Sequence, residues 1–390
     1  MLDIASLRAK TPGCSHVLHF NNAGAALPTV RTLQAVQDHL RLEAEIGGYE
    51  AHDRNEAAID AFYQQTARLL NCRREEVAFV ENATRAWDMA FYSLRFAAGD
   101  RILTSVSEYV SNFIAFLQVA RRTGATVEVV PDDEHGQMDV AALARMIDRR
   151  TKLIAVTHVP TQGGLVQPAA AIGKVARQAG VPFLLDACQA AGQIPLDVDA
   201  LGCDMLSGTG RKYLRGPRGT GFLYVRQSML EQLEPPFLDL HAADWTSRTD
   251  FRMRDDARRF ENWECFYAGK LGLAVAIEQY LALGPEAIQA RVYALAEALR
   301  RRLGAIEGVS VRDLGIERCG IVTLTKDGLD ATAMRDALRA QAINTSVSGI
   351  GSARLDFEHR HLQSVLRASV HYYNTDDENE RFAAAIDALR

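Results

Sequence analysis

Residues 210–221 read Gly210-Arg211-Lys212-Tyr213-Leu214-Arg215-Gly216-Pro217-Arg218-Gly219-Thr220-Gly221, and 26 residues before Lys212 the apolar run Val181 to Leu185 ends in Asp186. Lysines are most often solvated surface residues, and an Asp at the end of a strand is most often a solvated or capping carboxylate. The glycine and proline setting of this lysine, together with the upstream acid, reverses both priors. A lysine in a constrained turn, preceded by a carboxylate at the C-terminal end of a buried strand, suits pyridoxal 5'-phosphate. The amine bonds the cofactor's aldehyde, and the carboxylate keeps the pyridine nitrogen protonated so that the ring accepts electrons.

Outward from this pair, short β-rich runs alternate with helical periodicity. The runs Val77 to Val80, Arg101 to Thr104, Thr126 to Val130, Leu153 to Thr157, Phe183 to Asp186 and Gly221 to Val225 read as strands. Ser111 to Thr123, Val140 to Asp148 and Ala169 to Ala179 read as helices between them. This is an α/β pattern, a mostly parallel sheet with helices on both faces, whose ligands collect at the C-terminal strand ends. After residue 285 the pattern changes to a long amphipathic helix, Glu286 to Ile306, then strands near Ser310, Cys319 to Thr325 and Arg367 to Tyr372. A smaller α+β C-terminal domain is expected there. A chain of 390 residues exceeds the size at which one core keeps growing. The expected division is an N-terminal arm, 1–20, packing with the small domain, a large domain, 21–285, and the small domain, 286–390.

Composition narrows the function class. A net charge of −5 leaves no basic footprint for nucleic acid, and no run of 18 uncharged apolar residues is present to span a membrane. The start, Met1 to Arg8, carries an acid and lacks the apolar core of a secretory signal, so a cytoplasmic location is expected. Six cysteines are scattered without C-x-x-C pairs, which argues against a disulfide framework and against a metal site.

The chain resembles the class V aminotransferase and cysteine desulfurase group of fold type I pyridoxal phosphate enzymes. The matching segments, in the family's order, are Phe20 to Gly24, Glu81 to Thr84, Ser107 to Asn112, Asp186 to Gln189, the lysine turn, Arg259 to Glu261, and Arg367 to Ser369 running on to Tyr373 to Thr375. The resemblance implies a fold type I transferase architecture, a small-molecule amino-acid substrate and a homodimer with shared active sites.

It also gives the residues roles. Asn82, Ala83 and Thr84 precede a helix from about Arg85, where free amides and the Thr84 hydroxyl hold a phosphate; a plain N-cap is the competing reading. Thr209 and Arg211 would add donors, Arg211 standing where most relatives have histidine. Gln189 would donate to the cofactor's phenolate oxygen. Tyr109 takes the place of a stacking histidine, so any acid-base role there falls to a phenol, and a core aromatic is the other reading. Lys212, with an amine pKa lowered by burial and by Arg211 and Arg215, is the group to move the α-proton. Asn262 and Trp263 fall in a stretch that reaches the neighbouring subunit's phosphate. Arg367 would clamp the substrate's α-carboxylate, while Asn22 and Tyr49 are further substrate-binding candidates. Thr161 and Gln162 fall where relatives place an asparagine that touches cofactor or substrate. His158 reads equally as a structural or a catalytic histidine.

An absence subdivides the family. Cysteine desulfurases carry a nucleophilic cysteine in a C-terminal-domain loop, but here Asn344 to Arg354 holds serines and no cysteine. Cys319, in an expected strand, is a poor substitute, and Cys188 reads as packing. Persulfide chemistry is therefore disfavoured. Together with Glu43 to Tyr49 and Glu108-Tyr109, the lysine turn most resembles carbon-sulfur lyases of cysteine conjugates, including hercynylcysteine sulfoxide lyases. Aminotransferase, epimerase and decarboxylating deaminase activities are the alternatives.

Overall fold

The computed structural model describes residues 2–390. Its centre is a seven-stranded sheet built from β1 (Val77–Val80), β2 (Arg101–Ser105), β3 (Thr126–Val130), β4 (Thr151–Thr157), β5 (Phe183–Asp186), β6 (Met205–Thr209) and β7 (Gly221–Val225). The spatial order is β1-β7-β6-β5-β4-β2-β3. Strands β2 to β6 run parallel, and β7 is antiparallel to both its neighbours.

Alternation of side chains explains why the central runs are largely apolar. Phe79, Ile154, Val156, Phe183, Leu185, Leu206 and Phe222 pack into one core. Their chain neighbours Ala78, Val80, Leu153, Ala155, Leu184, Met205 and Leu223 pack into a second core on the other face. Successive strand residues point to opposite faces, so a sheet covered on both sides needs apolar residues at every position. The expected α/β architecture is thus observed.

Four expected strands keep the same ends in the structure, and several other elements shift, the strand expected at Arg367 to Tyr372 running over Ser364–Ser369 because its pairing with Ile321 to Leu324 ends at Ser369. Strand β6 is absent from the sequence reading because Ser207 and Gly208 interrupt its apolar run. Gly208 is required there: a Cβ would lie 2.1 Å from the ring of Phe222 on the adjacent strand. The expected long helix is the second of two, Tyr267–Leu283 and Pro285–Gly304, divided at Gly284 with φ of 88°. A left-handed glycine followed by proline at the first helical position stops one helix and starts the next. Cys319 lies outside its expected strand, because pairing begins only at Ile321.

The C-terminal part forms a four-stranded antiparallel sheet of β8 (Val309–Val311), β9 (Ile321–Lys326), β10 (Ser346–Gly349) and β11 (Ser364–Ser369), in the order β8-β9-β11-β10. Near the N-terminus, Leu18 and His19 pair with Ile343 and Asn344, and Arg8 meets Glu378 at 2.8 Å.

Arg300 on the helix Pro285–Gly304 ties that helix to β9. Its guanidinium meets the Asp313 carboxylate at 2.7 Å and donates to the carbonyls of Cys319 and Ile321, while Asp313 also accepts from Thr323. Removing Asp313 leaves the buried guanidinium with only the partly exposed Glu297 carboxylate at 3.6 Å. Asp313→Ala is therefore expected to lower the unfolding free energy by about 3–5 kcal/mol, measured by urea denaturation.

Candidate active site

The lysine turn and the C-terminal ends of β4 and β5 meet at a cavity of about 440 Å³. Its wall includes Asn82, Ala83, Thr84, Tyr109, Thr161, Asp186, Gln189, Arg211 and Lys212, so nine candidates scattered over 131 positions of sequence converge. The cavity lies beside parallel strand ends, where helix dipoles and free amides gather in such sheets.

Asp186 is buried and fixed through both oxygens. One accepts the Cys188 backbone N–H at 2.9 Å and the other accepts the Asn112 amide at 3.0 Å. Asn112, on the helix Val110–Thr123, was not among the sequence candidates; it lies three residues from Tyr109 in the same matching segment. Burial pushes the Lys212 amine below the ordinary lysine value; Cys188 and Asp186 oppose this, and Arg211 and Arg367 add to it. Arg215 does not contribute as expected. Its guanidinium is turned away and held by the Leu27 carbonyl, the Tyr372 hydroxyl and the Thr11 hydroxyl.

At the start of the helix Ala83–Phe91 the Asn82 side chain accepts from the Arg85 N–H at 2.9 Å, which is the N-cap arrangement. The amides of Ala83 and Thr84 are left to face the cavity as donors suited to a phosphate. Gly221 packs against this turn so closely that a Cβ would sit 2.9 Å from the Asn82 carbonyl carbon. Thr209 does not line the cavity. Fully buried, it accepts from Arg211 at 3.2 Å and so orients that guanidinium. Gln189 donates to the Ala23 carbonyl at 3.2 Å, and its buried Oε1 has no partner. An unpartnered buried polar atom, free helix amides and three cationic side chains (Arg211, Lys212 and Arg218) fit an anionic, hydrogen-bonding cofactor.

Arg367 on β11 is buried with no carboxylate within 4 Å among the described residues. Its Nη1 donates to the Thr161 carbonyl at 3.2 Å and to the Thr161 hydroxyl, while Nε has no partner. Burial lowers its pKa to about 10. Thr161 therefore positions Arg367 in the structure, in addition to facing the cavity. Gln162 is buried behind the wall and donates to the Ser107 carbonyl.

Four other candidates lie elsewhere. Tyr49, Asn262 and Trp263 line a separate cavity of about 710 Å³ that also holds Glu261 and Lys270. Asn262 accepts from Arg85 at 3.1 Å, and the Trp263 N–H donates to Asp239 at 2.7 Å. Asn22 is fully buried, donating to the Ser369 carbonyl at 2.7 Å and accepting from the Tyr373 hydroxyl. Its polar atoms tie the N-terminal turn to β11 and do not face the lysine cavity.

His158 is buried, and desolvation lowers its pKa to about 4. The neutral imidazole is favoured in the fold, so its contribution to stability is present above the unfolded value of about 6.5 and is lost as pH falls towards 4. His158→Gln should remove this slope, changing the stability difference from wild type by about 3 kcal/mol across that window. Denaturation at a series of pH values measures it.

Cys188 lines the lysine cavity, which corrects its reading as a packing residue. Burial, then the charge of Asp186, pushes its thiol up and keeps it protonated. Burial likewise pushes the Cys319 thiol up to about 12.

A class V aminotransferase model matches residues 17–382. A Mycobacterium tuberculosis protein named "Probable hercynylcysteine sulfoxide lyase" is 31% identical over 375 residues, covering 95% of this chain and 91% of the relative. A "Probable cysteine desulfurase" of Methanothermobacter thermautotrophicus is 28% identical over 366 residues, covering 93% of this chain and 91% of the relative. The apo structure of a cysteine desulfurase from Thermococcus onnurineus superposes with a TM-score of 0.93 at 24% identity, covering 99% of this chain and 98% of that one. With the mostly parallel sheet, the half-buried Lys212 and Asp186 lining one cavity and a family match over most of the sequence, the chain belongs to the class V aminotransferase family of pyridoxal phosphate-dependent enzymes.

Proposed function

We propose that the protein is a carbon-sulfur β-lyase acting on an L-cysteine S-conjugate or its sulfoxide, giving pyruvate, ammonia and a sulfur-containing product. The observation that carries this reading is the state of the thiols. Among the described residues Cys188 is the only cysteine lining the lysine cavity, and it is held protonated. Strand β10 presents Ser348, whose hydroxyl donates to the Thr161 carbonyl at 3.1 Å, in the stretch where a desulfurase carries its nucleophile. Without a thiolate to accept sulfur, cleavage releases the sulfur fragment as the leaving group. The likeness to the lyase-named relative supports the same assignment.

Bound pyridoxal phosphate supplies an electron sink. In this reading Arg367 binds the substrate carboxylate, which sets the orientation of the α-carbon bonds. Lys212, its amine pKa lowered, removes the α-proton. The β-sulfur leaves with its bonding electron pair, and the released three-carbon enamine hydrolyses to pyruvate and ammonia. Asn262 and Trp263 are read as serving the site of a second copy in a homodimer, since within one chain they face a different cavity.

Mass-spectrometric product analysis with L-cysteine conjugates, their sulfoxides and common amino acids tests the assignment. Pyruvate with ammonia and a released sulfur fragment is the expected result. A keto acid matching the amine donor would assign an aminotransferase instead, and alanine with a protein-bound persulfide a desulfurase.

A further inference from the structure

Glu108 is a buried carboxylate that the steps above do not use. It accepts from the Thr104 hydroxyl at 3.1 Å, the Tyr109 N–H at 3.0 Å, the Asn112 amide at 2.8 Å and the Thr157 N–H at 2.9 Å, and also from the Thr157 hydroxyl. No cation lies within 4 Å of it among the described residues. The same Asn112 nitrogen donates to Asp186 at 3.0 Å, so one side-chain amide bridges two buried carboxylates. Both hydrogens of that amide are committed, which fixes its plane and the direction of the Asp186 oxygen it holds.

Two carboxylates in one buried network, with no counter-charge in contact with Glu108, are costly to ionise together. Burial, reinforced by the charge of Asp186, pushes the Glu108 carboxyl up to about 7. The charged groups around the network are Asp186 itself and, further out in the cavity, Lys212 and Arg211. The missing partner is therefore a cation beside Asp186. A protonated pyridine nitrogen is such a cation, and linkage makes the effect reciprocal: a cation that favours ionised Glu108 is itself favoured by it.

We propose that Glu108 is a positioning residue and second carboxylate of the cofactor cradle: through Asn112 it orients Asp186, and its buried charge helps keep the ring nitrogen of bound pyridoxal phosphate protonated. This rests on the assignment of the lysine cavity to that cofactor, and holds whichever bond of the substrate is broken.

The test loads wild type, Glu108→Gln and Glu108→Asp with pyridoxal phosphate labelled with nitrogen-15 in the ring, and follows the nitrogen resonance from mildly acidic to alkaline pH. In Glu108→Gln the ring nitrogen should lose its proton at least about one pH unit lower than in wild type, with cofactor affinity about tenfold weaker above that point. Glu108→Asp, which keeps the charge, should restore most of the difference. Superimposable titrations for a folded Glu108→Gln would overturn the proposal and leave Glu108 a structural anchor. Wild-type protein that takes up no cofactor would sink the cofactor assignment instead. If the glutamine variant does not fold, infrared difference spectra of wild type decide. A protonated-carboxyl band present in mildly acidic apoprotein should vanish on loading, and its persistence would overturn the proposal.

Discussion

Lys212→Ala is expected to abolish turnover, with a loss of about four orders of magnitude, the upper end of what a positioned acid-base group contributes. The visible absorbance of lysine-bound cofactor should disappear with it. The effect is large because the amine combines two properties in one place. Burial and the neighbouring Arg211 and Arg367 lower its pKa, which favours the unprotonated base, and the turn from Gly210 to Gly216 fixes where it points. That turn is closed by the Gly216 N–H donating to the Gly210 carbonyl at 2.8 Å, and neither glycine leaves room for a side chain against Leu273. Truncation removes a buried amine without opening this turn, so circular dichroism and melting should stay close to wild type. Retention of both turnover and absorbance would refute the assignment of the site.

Arg367→Ala is the second large effect. The guanidinium is buried, has no carboxylate partner among the described residues and holds Nε without a hydrogen bond. A charge in that condition is stabilised by an incoming anion, and truncating one member of such a pair costs about 2–5 kcal/mol. The expected loss in kcat/KM for substrates with an α-carboxylate is therefore about one and a half to three and a half orders of magnitude. Amide or ester analogues of the same substrate, lacking that charge, should be affected far less. Arg367→Lys should recover little, because a point charge cannot reproduce the fork that Thr161 orients. Equal losses for charged and uncharged analogues would exclude the carboxylate role.

The contrast between what could and could not be read beforehand follows the range of the interactions. Strands β1, β5 and β7 were legible to the residue because a strand covered on both faces writes a nearly uninterrupted apolar run, whereas the edge strand β3 was legible from its β-branched Thr126, Val127, Val129 and Val130 although Glu128 interrupts it. Strand β6 was not legible, since its Gly208 answers to the ring of Phe222 on the adjacent strand and not to any local preference. The pair Asp186 and Lys212 was legible because each stands in a local setting that restricts it, a strand end and a glycine turn. Arg215 misled for the same reason. Proximity in the chain to Lys212 suggested an electrostatic influence, but its guanidinium is drawn to Leu27, Thr11 and Tyr372, residues from two distant segments.

By itself, then, the sequence determined the alternation of strands and helices, the lysine in its glycine turn and the acid at the strand end, and the lack of a cysteine between Asn344 and Arg354, since each is read from residues within a short stretch. Tertiary structure alone decided that Thr161 orients Arg367 from 206 positions away, that Asn112 joins Glu108 to Asp186, and that Tyr49, Asn262 and Trp263 face another cavity. Those relations come from how the sheets and loops pack, where the pairing of buried polar groups is settled by which donors and acceptors are brought within about 3 Å of one another.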